Sequence, residues 1–108
     1  LAGCATDGSP AALLDSLGGQ LSSMRTLPVN TATNARCPKG TDALVGESIS
    51  NLKSALGEPD FIDRQDNSWW YFFTSPRPVL QFGGGFPQLG FKFGQDGLVS
   101  GASCYYAR

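Results

Sequence analysis

A chain of 108 residues can bury the core of one compact domain and is too short for a second. A formal charge of −1, with charged residues at 16 % and no run of like charges, leaves no footprint for nucleic acid, while hydrophobic residues at 41 % exclude a disordered chain. The absence of histidine removes Ser-His and Cys-His nucleophile activation, imidazole bases and most zinc or copper sites, so an enzyme here would need carboxylates, lysine or thiolate alone.

In chain order, residues 1–9 read as a polar tether. Leu1-Ala2-Gly3-Cys4 resembles the lipobox of bacterial lipoproteins, in which small residues fit the signal peptidase and the cysteine thiol is diacylated. The resemblance implies lipidation at Cys4, an apolar leader ahead of the tetrapeptide, and an anchor on the periplasmic face of the outer membrane, because Ala5 rather than aspartate follows the cysteine. No run of eighteen apolar residues occurs, so any tie to a membrane has to be covalent. Setting Cys4 aside leaves Cys37 and Cys104, the arithmetic of one disulfide and hence of an oxidising compartment. The alternative is two buried free thiols.

Ser9-Pro10 suits a helix start, and Leu13, Leu17, Leu21 and Met24 then share a stripe that Gly18-Gly19 weakens. Residues 26–40 have no period and read as a linker pinned only at Cys37, so that 10–40 is an N-terminal helix plus linker. Thr41-Asp42 can cap a short helix that Gly46 ends; Ser48 can cap a second, whose Ile49, Leu52 and Leu56 form an apolar stripe closed by Gly57 and Pro59. This pair lacks the cations of a DNA reader, with Lys53 alone on its second helix.

Everything after Pro59 has strand character, with turn signals at Asp66-Asn67, Ser75-Pro76-Arg77-Pro78, Gly83-Gly84-Gly85 and Asp96-Gly97. The expected fold is α+β: two short helices on one face of a three- to four-stranded antiparallel meander, with an extra N-terminal helix. The strand over 69–73 is aromatic at every position, so alternation should place aromatics on both faces of the sheet.

Gly46-x-Ser48-x-x-x-Leu52-x-x-x-Leu56-Gly57-x-Pro59, then Trp70-Tyr71, then Leu89-x-Phe91-x-Phe93-x-x-x-Gly97-x-Val99 resembles the SmpA/OmlA (BamE-like) family of outer-membrane lipoproteins. The same unit is similar to the repeat of the β-lactamase inhibitor proteins. The resemblance covers residues 41–106, inside a segment 41–108 read as the α+β domain. It implies a non-enzymatic envelope protein that binds another protein, as an accessory or stabilising component of an outer-membrane complex. Inhibition of a periplasmic or foreign enzyme through the sheet face is the alternative, and a carboxylate-dependent hydrolase the third class.

Asp60, Asp63 and Asp66 lack the glycine turn and terminal glutamate of a calcium loop, and read as strand and turn carboxylates, some facing Arg64. The triple glycine has no Lys-Ser or Lys-Thr after it and reads as a hairpin loop, not a phosphate cradle. No metal, cofactor, nucleic acid or catalytic residue is expected. The aromatic surplus with a nearby arginine has the make-up of a binding hot spot, and Trp70, Phe72, Arg77 and Phe86 are the candidate partner-binding residues.

Overall fold

The computed structural model describes residues 10–31, 33, 35–76 and 86–106. Helix α1 (Pro10–Arg25), a 3-10 helix (Thr41–Leu44) and helix α2 (Ile49–Leu56) precede strands β1 (Phe61–Asp63), β2 (Ser68–Phe72), β3 (Pro87–Phe93) and β4 (Val99–Tyr106). The strands form one antiparallel sheet in the order β1-β2-β3-β4, the expected meander. Tyr71, Leu89, Phe91, Phe93 and Val99 meet Leu14, Leu17, Leu21, Leu44, Leu52 and Leu56 in one core, so the helical layer lies on one face of the sheet.

Local chemistry explains the element ends. Ser48 Oγ accepts the Asn51 N–H at 3.1 Å, which satisfies one of the free amides of the first turn of α2. Gly57 stops the same helix at φ 82°, a conformation in which an L side chain is strained. Between β1 and β2 the turn runs through Asn67 at φ 53°, while Gly97 at φ 78° turns β3 into β4. The edge of the sheet at β4 is continued by residues 46–49: Gly46 N–H donates to Val99 O at 2.8 Å, and Val99 N–H donates to Glu47 O at 2.8 Å. The helix pair is thereby stitched to the sheet through backbone.

Several expectations change in detail. The buried stripe of α1 is Leu14, Leu17 and Leu21, with Leu13 and Met24 only partly covered, because the helix presents an i, i+3, i+7 row to α2 and the sheet. Gly18 does more than weaken α1: a Cβ there would collide with the carbonyl oxygen of Ala55, so its lack of a side chain lets the two helices approach. The first short helix is a 3-10 turn begun by Gly40 in the left-handed region, and neither Thr41 nor Asp42 caps it from outside.

The linker is held at more points than Cys37. Asn30 N–H donates to Pro76 O at 2.8 Å, and Ser75 Oγ donates to Thr31 O at 2.6 Å. Cys37 N–H donates to the Tyr106 hydroxyl at 2.9 Å, and Ala35 packs against the core. Cys37 and Cys104 are joined in a disulfide with Cα atoms 5.8 Å apart. Nor do the three aspartates pair with Arg64: Asp60 meets Arg25 at 3.2 Å, Asp66 meets Lys92 at 3.4 Å, and Asp63 accepts the Gln65 and Asp66 amides.

Arg25 ties α1 to the start of the sheet. Its guanidinium donates to Glu58 O at 2.9 Å and Leu56 O at 3.4 Å, pairs with Asp60, and lies 6.0 Å from the ring centroid of Tyr71. Asp60, just ahead of β1, in turn accepts the N–H of Phe72, the last residue of β2, at 2.8 Å.

Candidate functional site

Register decides which aromatic faces which layer. Trp69 pairs with Phe91, and Tyr71 with Leu89. Both pairs point to the helical side, where Trp69 packs edge-on to Phe93 at 5.2 Å and Tyr71 edge-on to Phe91 at 6.0 Å. Tyr71 is wholly buried and donates its hydroxyl to Gly57 O at 2.8 Å. Burial pushes its ionisation above the usual tyrosine range, against the opposing pull of Arg25.

Trp70 and Phe72 alternate to the other face, which no helix covers among the described residues. There Phe61 is the partner of Trp70 across β1, and Gly90 its partner across β3. The indole crosses Gly90 toward β4 and meets Tyr105 at 6.1 Å, while its Nε1 donates to Ser68 Oγ at 3.1 Å. Phe72 contacts Phe86 at 5.6 Å. Phe61 and Tyr105 are the most open of the group, at 53 % and 59 % of full exposure.

Three of the four candidate partner-binding residues, Trp70, Phe72 and Phe86, therefore gather on one side of the sheet. Arg77 and the lipidation candidate Cys4 lie outside the described residues. Phe61 and Tyr105, neither of them among the four candidate partner-binding residues, join the cluster. Counting back across the Asp66-Asn67 turn would have placed Phe61 beside Trp70, whereas the shift in register at Lys92 and Phe93 hides the facing of Tyr105 from simple alternation.

Among the described residues the arrangement offers aromatic rings and hydroxyls. Among the described residues no group of three or more histidine, cysteine, aspartate or glutamate side chains is placed to hold a metal ion. No described helix is long and apolar enough to cross a membrane. Compared with protein-family models and with curated proteins, the chain matches none.

Proposed function

We propose that the chain is a cell-envelope lipoprotein without catalytic activity that binds an envelope protein through the aromatic side of its sheet. In this reading a lipid on Cys4 holds it to the periplasmic face of the outer membrane. It serves there as an accessory or stabilising component of an outer-membrane protein complex. One observation carries the reading: among the described residues the four-stranded sheet has its helices on one face, and the opposite face carries Phe61, Trp70, Phe72 and Tyr105 with Phe86 beside them. Aromatics spaced along an uncovered sheet face are the composition from which protein-binding hot spots are built. The tetrapeptide ending in Cys4 and the likeness of residues 41–106 to the SmpA/OmlA family add the envelope setting.

Capture from detergent-solubilised envelopes, with the full-length protein carrying its native leader, tests the reading. Recovery of a barrel-assembly subunit, lost with Phe72→Ala, is the expected result. Capture of a soluble hydrolase whose activity falls on binding would replace accessory function with inhibition. Equal recovery of parent and Cys4→Ala protein in the soluble fraction, with no lipid mass on either, would sink the anchor.

A further inference from the structure

Beside its aromatic half, the uncovered face has a polar half. Lys92 pairs with Ser68 on one side and Gly101 on the other, and Gly90 pairs with Ser103. These positions line a cleft of about 210 Å³ together with Asp66, Trp70 and Tyr105. Its lining holds one carboxylate and one ammonium, which meet at 3.4 Å with both side chains more than half exposed. A Cβ built on Gly101 would find nothing within 4 Å, so the space above that residue is open.

Charge disfavours a ligand of a single sign. An anion drawn to Lys92 would be opposed by Asp66, and a cation drawn to Asp66 would be opposed by Lys92. An apolar side chain would strip water from both without replacing its hydrogen bonds. A neutral molecule with one apolar face and a rim of hydroxyls satisfies every group present: rings for its C–H face, an acceptor in Asp66, donors in Lys92, and either from Ser103. The cleft is smaller than the roughly 300 Å³ at which sites for drug-sized ligands begin, and suits a single ring.

We propose that this cleft is a glycan subsite that seats one neutral pyranose ring against Trp70 and Tyr105, with its hydroxyls reaching Asp66, Lys92 and Ser103. The inference goes beyond protein docking on the neighbouring Phe72 and Phe86 and does not depend on it. Trp70 is common to both halves; Gly101 belongs to the sugar cleft alone.

The experiment titrates the folded chain with two neutral probes, cellotetraose and the tetramer of N-acetylglucosamine, and with glucosamine tetramer and tetragalacturonate as charged controls. Tryptophan fluorescence and backbone amide shifts report binding. Saturable binding of at least one neutral probe is expected, with shifts centred on Trp70, Gly90, Lys92, Gly101 and Ser103. Gly101→Thr, which fills open space with a strand-favouring side chain, should keep the melting temperature and weaken binding about tenfold; Trp70→Ala should weaken binding to a similar extent. Phe72→Ala should leave the sugar affinity unchanged while losing protein capture, so the two readings fail separately. The subsite is overturned if neither neutral tetramer saturates, if a charged tetramer binds more tightly than both, or if Gly101→Thr binds as the parent does.

Discussion

The indole of Trp70 occupies the space a side chain at Gly90 would need: a Cβ there would lie 2.6 to 2.7 Å from three carbons of its six-membered ring. Glycine weakens a strand, and here the cross-strand ring restores the cover that the missing side chain withholds. Gly90→Val should therefore lift the indole off the sheet despite the better strand propensity of valine. The expected loss is about 1 to 3 kcal/mol, the usual size of an overpacking penalty, accompanied by a red shift of tryptophan emission. Denaturant unfolding followed by fluorescence measures both.

Adjacent tryptophans on β2 should respond unequally to truncation. Trp69 lies against the core and Phe93, so Trp69→Ala opens a cavity beneath the helices and should cost about 3 kcal/mol. Trp70 has its outer side in water, and Trp70→Ala should cost about 1 to 2 kcal/mol while weakening partner capture. Equal losses of stability in the two variants would mean that both rings serve the core.

The paired glycines of α1 should differ in sign. Alanine is favoured over glycine inside a helix by about 1 kcal/mol, and Gly19→Ala meets nothing within 4 Å, so that variant should be stabilised by about 0.5 to 1 kcal/mol. Gly18→Ala gains the same propensity but drives its methyl into the Ala55 carbonyl, where overpacking of about 1 to 3 kcal/mol outweighs it. Thermal melts of the two single variants decide the signs.

Reduction should reveal how much the linker depends on its clip. Cys37 and Cys104 are 67 residues apart, and opening a loop of that length relieves the unfolded chain of a constraint worth about 4 kcal/mol in the chain-entropy model. The protein treated with reductant, or carrying Cys37→Ser with Cys104→Ser, should unfold at markedly lower denaturant. Mass mapping of the oxidised protein should recover a single linked peptide pair containing both cysteines.

The two-helix and meander pattern was legible because short-range chemistry sets it: Ser48 caps α2, Gly57 closes it, and Asp96-Gly97 turns β3 into β4. The split of Trp69 from Trp70 follows from strand alternation, and its direction from which neighbours are core leucines and phenylalanines. What the sequence could not disclose depends on tertiary approach. Gly18 reads as a defect until Ala55 is beside it, Arg25 as a surface cation until Leu56 O, Glu58 O and Asp60 converge on it, and Gly101 as a weak strand residue until the cleft above it is seen.

Alkaline pH should unfold the protein through Tyr71. The buried ring holds its proton in the folded state above the pH at which an unfolded tyrosine, with an ordinary pKa of about 10, releases it. Above that value the unfolded chain binds fewer protons than the native one, so stability must fall as pH rises. The contribution is fully present below the ordinary tyrosine pKa and declines from there toward the raised native value. Tyr71→Phe removes the titrating group and should flatten this part of the profile, at a cost near neutrality of about 1 kcal/mol for the hydrogen bond to Gly57 O. Urea unfolding of the two proteins at neutral pH and at several values above about 10 gives the comparison, and parallel slopes for parent and Tyr71→Phe would remove Tyr71 as the source of the alkaline loss.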